Sequence, residues 1–269
     1  MQDKYVHGYT DYEVARLNDQ ASTLDHLLHH DTYYPPGSEV LELGCGVGAQ
    51  TVILCRQCPD IRLTAVDISA DSLSIAKKRC SELGFENVDF VRADLYDLPF
   101  APESFDHIFV CFVLEHLVDV ERALLKIKRL LRKNGTLTVI EGDHGSAYYY
   151  PSSALAQQTI ECLIRLQAEA GGDSLIGRSL YPLLSNNGFK DVHVSPRMVY
   201  ADPSRPEMVE GFTLKTFIAM VEGIGTIAIK KGLMKEDAWE KGIRELKNSA
   251  GQNGVFCYTF FKATASCDL

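Results

Sequence analysis

Three glycines and three acids carry the most chemistry in this sequence. Val40-Leu-Glu-Leu-Gly-Cys-Gly-Val-Gly48 reads as a short apolar run that ends in a glycine turn. Glycines at Gly44, Gly46 and Gly48 permit positive φ and let a ligand lie against bare backbone. Glu42 stands two residues before the turn, Asp67 closes a second apolar run, and Asp94 closes a third. A carboxylate at Glu42 repels a pyrophosphate and attracts an ammonium or sulfonium. One at Asp67 can accept from both hydroxyls of a ribose. One at Asp94 can accept from an exocyclic amine of a purine, with Leu95 against the ring. The pattern is that of a pocket for a nucleoside-containing, partly cationic ligand. Gly44, Gly46 and Ala49 also satisfy the dinucleotide fingerprint, so a nicotinamide enzyme is a rival reading.

Such groups converge only if the runs are parallel strands with their carboxyl ends on one edge. The sequence supplies that rhythm. Strands are expected at Val40–Leu43, Leu63–Val66, Val88–Val91, Phe105–Val113 and Thr136–Glu141. Helices are expected between them: Gly48–Gln57, a helix capped by Ser69 and stopped by Gly84, and Asp119–Arg132 ending at Asn134-Gly135. Apolar, non-alternating strands separated by helices imply a parallel sheet covered on both faces. A capping box at Thr10–Glu13 opens an N-terminal helix that ends near His30. Beyond Glu141 the reading is helices over 152–170 and 178–187, a strand over 190–200, two helices over about 207–250, and a last strand over 255–263.

These motifs resemble those of class I S-adenosylmethionine-dependent methyltransferases. They are Glu42–Gly48, the Asp67 strand end, Asp94-Leu95, Phe105-Asp-His-Ile-Phe109 and Leu130–Leu137. The likeness is greatest to the small-molecule branch that includes quinone-biosynthesis enzymes, and it spans roughly Pro36 to Glu141. It implies an α/β, doubly wound Rossmann-like sheet of seven strands, the last antiparallel. The expected organisation is a single domain over 1–269, with an N-terminal lid at 1–35 and a cofactor-binding core at 36–145. Substrate-side helices follow at 146–188, and a helical insertion lies at 203–252, between the last two strands.

The resemblance implies a cofactor, S-adenosylmethionine, with S-adenosylhomocysteine as product. Gly44, Gly46 and Gly48 then pack on its methionine and ribose parts, Asp67 binds the ribose, and Ile68, Asp94 and Leu95 hold the adenine. Residues near Cys111 line the methionine end. Tyr5, His7 and Tyr9 precede the lid helix and can close the site. His116 and His144 are candidate bases, Tyr148 a wall for the acceptor, and Arg178 a partner for an anionic group on it.

Composition sets limits. The net charge of −9 and the absence of a basic stripe argue against nucleic acid as substrate. Met1–Asp25 has no signal-like apolar core, and no apolar run reads as a bilayer span, so no membrane partner and a cytoplasmic location are expected. The eight cysteines, including Cys55 and Cys58, read as reduced core thiols. No metal is expected: the histidines lack ligand spacing, and adjacent His29-His30 diverge on a helix. The apolar stripe Met208, Phe212, Phe217, Met220 and Ile224 reads as core or as the contact of a homodimer.

Overall fold

A computed structural model describes the backbone of residues 11–267 and the side chains of residues 20–267. Tyr5, His7 and Tyr9 lie outside the described residues.

The elements run, in order, α1 (Asp11–His29), β1 (Glu39–Leu43), α2 (Ala49–Gln57), β2 (Arg62–Asp67), α3 (Ala70–Glu82), β3 (Val88–Arg92), β4 (Phe105–Cys111), a 3-10 turn (Leu114–His116), α4 (Val120–Leu130) and β5 (Leu131–Tyr150). They continue as α5 (Ala154–Glu169), a 3-10 turn (Ile176–Ser179), α6 (Leu180–Asn186), β6 (Lys190–Ala201), a helical stretch, and β7 (Val255–Ser266). The sheet order is β3-β2-β1-β4-β5-β7-β6.

β1 pairs in parallel with both β2 and β4, through Leu41↔Thr64 and Leu41↔Ile108. The strand order therefore reverses at β1, and the carboxyl ends of β1 and β4 mark the switch point at which open α/β sheets bind ligands. β7 runs against β5: Asn134 and Gly135 exchange hydrogen bonds with Cys267, whereas Ser146 meets Thr259 and Tyr149 meets Phe256. The seven-stranded sheet with an antiparallel last strand is the one the resemblance implied.

Local chemistry explains the elements. Val40 to Leu43 are all buried, as a strand covered on both faces requires. Ser69 caps α3, its Oγ accepting from Ser72 N at 3.2 Å. α4 buries Ala123, Leu124, Ile127 and Leu130 on one stripe, and Asp119 caps it. The helix expected to reach Arg132 stops at Leu130, because Leu131 is already paired with Phe105. The Asn134-Gly135 turn becomes an irregularity within β5, with Asn134 at φ 61°. β5 then continues to Tyr150, well past the expected Glu141.

The chain divides into two compact units. One, the glycine-loop unit, comprises Asp25–Glu141, Gly177–Pro196 and the chain from Phe261 onward. Its base is pinned by Lys262, 4% exposed, which donates to Asp31 and Thr32 at 2.7 Å each. The other, the aromatic unit, comprises Gly142–Ile176, Arg197–Phe260 and the N-terminal part of α1. Its core is a ring cluster of Phe212, Phe217, Phe256, Tyr258 and Phe260, with centroids as near as 4.7 Å.

The two helices expected over 207–250 are five segments and a 3-10 turn. They are α7 (Pro206–Met208), a π-helix (Val209–Ile218), α8 (Ala219–Gly223), α9 (Gly225–Lys230), α10 (Glu236–Lys247) and Asn248–Ala250. Breaks fall beside Gly223 and Gly225 and at Gly232, which takes φ 70°. Pro206–Lys230 is long and apolar enough to cross a membrane by length and composition, against the expectation of no such run. More than half of its most apolar window is buried, the pattern of a core helix. Phe212, Phe217 and Ile224 of the apolar stripe are part of that buried core.

Candidate cofactor site at the carboxyl edge of the sheet

The glycine loop leaves β1 with Gly44, Gly46 and Gly48 all at positive φ, from 51° to 78°. The three have different reasons for being glycine. A Cβ on Gly44 would strike Val113, in the turn after β4. A Cβ on Gly48 would come within 2.9 Å of Ala76 Cβ on α3, so this residue serves helix packing. A Cβ on Gly46 would meet nothing within 4 Å. Only Gly46 faces open space, and that is where a ligand can lie against backbone. Gly44 and Gly48 are closed on the Cβ side by Val113 and Ala76, and Gly46 is open there.

Asp67 is tied to that loop. Its Oδ2 accepts from Gly46 N at 2.8 Å and its Oδ1 from Ser69 N at 2.8 Å. The carboxylate thereby fixes the loop after β1 and the start of α3 together, and keeps lone pairs for further donors. Ile68 beside it is 55% exposed, an apolar face at the strand end. Asp94 is exposed, its Oδ1 accepting from Tyr96 N at 2.9 Å in a tight turn, and Leu95 is half-buried next to it.

Glu42 stands elsewhere than expected. The sequence aimed it at a cationic ligand, but it is 2% exposed and its Oε2 accepts from the Thr51 hydroxyl at 2.6 Å. Burial pushes its carboxyl up to about 7, with Asp67 adding repulsion. Its place is beneath the loop, where it braces α2 rather than meeting solvent.

β4 ends in Cys111, which is buried, and its thiol is held far above the ordinary range, first by burial and then by Glu141. Phe112 follows at φ 59°. The next two amides converge on one oxygen: Val113 N at 3.0 Å and Leu114 N at 2.7 Å both donate to Glu141 Oε1. Glu141 is fully buried, and burial, with the Glu115 carboxylate next, drives it well above the usual carboxylate range. His116 is half-buried, its Nε2 3.7 Å from Glu115 Oε1.

The glycine-loop unit thus brings together Glu42, Gly44, Gly46, Asp67, Cys111 and His116. Arg178 belongs to the same unit and is exposed, in a 3-10 turn rather than at a helix start. His144 and Tyr148 belong to the aromatic unit. His144 is 5% exposed, its Nδ1 2.8 Å from the Tyr258 hydroxyl, and Tyr148 is 57% exposed. Sequence reading missed Thr51 and Tyr258, whereas Val113 falls in the Cys111–Val113 stretch expected at the methionine end. A lone threonine or tyrosine gives no signal, and Tyr258 is 114 residues from its partner. Gly142 was the one available hint, since a side chain there would collide with the Tyr258 hydroxyl. Among the described residues no cluster of three or more His, Cys, Asp or Glu is arranged to hold a metal.

Comparison with known proteins agrees with this geometry. A family described as "Methyltransferase domain" matches residues 41–139, which run from β1 into β5. The chain is 36% identical over 115 residues to a demethylmenaquinone methyltransferase of Tropheryma whipplei, covering 43% of this chain and 46% of that protein. It spans about half the length of curated relatives that it matches. Two solved structures share the fold. The [4+2]-cyclase SpnF superposes with TM-score 0.58 at 19% identity, over 93% of this chain and 81% of that one. The phosphoethanolamine N-methyltransferase 2 of Haemonchus contortus, solved with S-adenosyl-L-methionine, gives 0.57 at 16%, over 93% and 53%. Residues 41–139 are thus similar to the methyltransferase-domain family, and the chain as a whole shares its fold with these two solved structures.

Proposed function

We propose that the protein binds S-adenosylmethionine and transfers its methyl group to a small-molecule acceptor by in-line displacement. The observation that carries this reading is the open space over Gly46, whose amide is fixed by Asp67 at the switch point of the sheet. The donor set suits the cofactor: bare backbone at Gly44 and Gly46, a carboxylate at Asp67 for ribose hydroxyls, Ile68 and Leu95 for the faces of an adenine, and Asp94 for its amine. Cys111 lies near the methionine end.

When bound, S-adenosylmethionine supplies a methyl already activated by the positive sulfur. The chain's own task is then to align the acceptor, exclude water and, where the acceptor atom carries a proton, remove it. His116 and His144 are the side chains we assign to that proton. Tyr148 and Arg178 are assigned to the acceptor, and Tyr5, His7 and Tyr9 to a lid at 1–35, within one methyltransferase domain. The quinone methyltransferases among the relatives support a small, apolar acceptor. Location in the cytoplasm suits eight buried cysteines, none of them in a disulfide among the described residues. Should the chain form homodimers through the 203–252 insertion, exposed residues such as Ile227 would make the contact, since Phe212 and Phe217 are core.

A second reading, in which the same pocket serves a reaction other than methyl transfer, is favoured by the likeness to a [4+2]-cyclase. Calorimetric titration with S-adenosylhomocysteine, with NADH as control, tests the cofactor. Micromolar binding of the first alone supports the proposal, and binding of NADH alone replaces it with hydride transfer. Loss of the methyl from S-adenosylmethionine in the presence of quinone-like acceptors then separates methyl transfer from the second reading.

A further inference from the structure

We infer that Glu141 is a positioning residue for the cofactor site, holding the turn after β4 against the glycine loop. Three observations in the glycine-loop unit converge on it.

The turn is in a conformation it would not keep unaided. Phe112 is a bulky residue at φ 59°, a region that non-glycine residues rarely occupy without support. Its amide is taken by Ile140 O at 2.9 Å. The following amides of Val113 and Leu114 point the same way and would be left unmet without an acceptor. Successive amides around a left-handed residue form a concavity for an anion.

The acceptor that fills this concavity is a fully buried side chain from another strand. Glu141 Oε1 takes both amides, at 3.0 and 2.7 Å. Its Oε2 is buried with no hydrogen-bond partner among the described residues. A carboxyl group kept dry at that cost is there for its one bonded oxygen. Burial and Glu115 favour its protonated form, which still accepts through a carbonyl oxygen.

The held turn touches the site. Val113 occupies the space that a Cβ on Gly44 would need, so the turn sets how the first glycine of the loop can lie. The chain of contact is Glu141 to the Val113 and Leu114 amides, and Val113 to Gly44. Glu141 acts through these groups and needs no contact with the cofactor or acceptor. This inference rests on the proposed cofactor for its binding readout only.

The test uses the full chain as wild type, Glu141→Gln and Glu141→Ala. Gln keeps the accepting oxygen and mimics the protonated acid, whereas Ala strands both amides. Glu141→Gln should bind S-adenosylhomocysteine within about threefold of wild type, and Glu141→Ala about tenfold or more weaker. Amide hydrogen exchange at 112–116 should quicken about tenfold in Glu141→Ala, with 40–43 and 108–111 as in wild type. Unchanged affinity in Glu141→Ala, or exchange that rises equally through β1 and β4, overturns the inference. If Glu141→Ala does not fold, Glu141→Gln decides: retained affinity supports the role, and a tenfold loss overturns it. If wild type itself fails to bind S-adenosylhomocysteine, the proposed function falls, and the exchange pattern at 112–116 still decides for Glu141.

Discussion

The glycine-loop unit and the aromatic unit are held by different physics. In the first, carboxylates that are buried (Glu42, Glu141) or half-buried (Asp67) accept from main-chain amides and hydroxyls: Asp67 from Gly46 and Ser69, Glu141 from Val113 and Leu114, Glu42 from Thr51. These bonds fix loops that have no regular structure, so they define shape at the sheet's edge. In the second, rings of Phe212, Phe217, Phe256, Tyr258 and Phe260 pack on one another, and His144 meets the Tyr258 hydroxyl on their margin. Directional bonds place a ligand site, and ring packing supplies bulk stability. Damage to the first should appear mainly in binding, and damage to the second mainly in stability.

The largest effect should come from the aromatic unit. Phe217→Ala removes a fully buried ring and should cost about 3–5 kcal/mol in urea unfolding. A loss below about 1 kcal/mol would break the comparison, because the cluster would then be loosely packed.

The next effect is one of pH. Glu42 is raised from an ordinary 4.5 to about 7 in the folded chain. A carboxyl whose folded value is raised favours folding while protonated, so its contribution is complete below about 4.5 and disappears as pH rises through about 7. Ligand-free protein should therefore lose stability between pH 5 and 8, by about 3 kcal/mol at most from this group. Glu42→Gln should flatten that slope in urea titrations at the two pH values, and an unchanged slope would assign it to other groups.

Asp67→Ala removes the acceptor of two amides and of the expected ribose bonds. It should weaken S-adenosylhomocysteine binding by about 1–3 kcal/mol in calorimetry, with the fold kept. Unaltered affinity would take Asp67 out of the site. The smallest effect on stability is expected at Gly46, where a Cβ meets open space. Gly46→Val should cost only about 1–2 kcal/mol of stability, from its φ of 51°, yet abolish binding by filling the ligand's space. Binding that survives this change would move the ligand off the loop.

Much of the glycine-loop unit was legible because its signals are local. The glycines follow their strand directly, Asp67 and Asp94 each close a short apolar run of their own, and Ser69 and Gly84 mark their helix ends by rules of capping. What the local pattern leaves open there depends on the third dimension. Glu42 lies near the turn in sequence, but its burial and its bond to Thr51 on α2 are set by packing. Gly48 looked equivalent to Gly46, yet α3 crosses at Ala76 and makes it a packing glycine. In the aromatic unit the reading was coarser. The π-helix and the breaks after it cannot be seen in periodicity, since a π turn shifts the apolar pattern without a marker residue.

The sequence by itself determined the alternation of strands and helices, the glycine turn and the acids at three strand ends, since each follows from neighbours along the chain. Only the tertiary structure decided which of those groups meets open space and which is buried. It also revealed that Glu141 grips a turn nearly thirty positions before it, and that a tyrosine over a hundred positions away fixes His144. Burial and hydrogen bonds across strands are properties of the packed sheet, and no local pattern of residues encodes them.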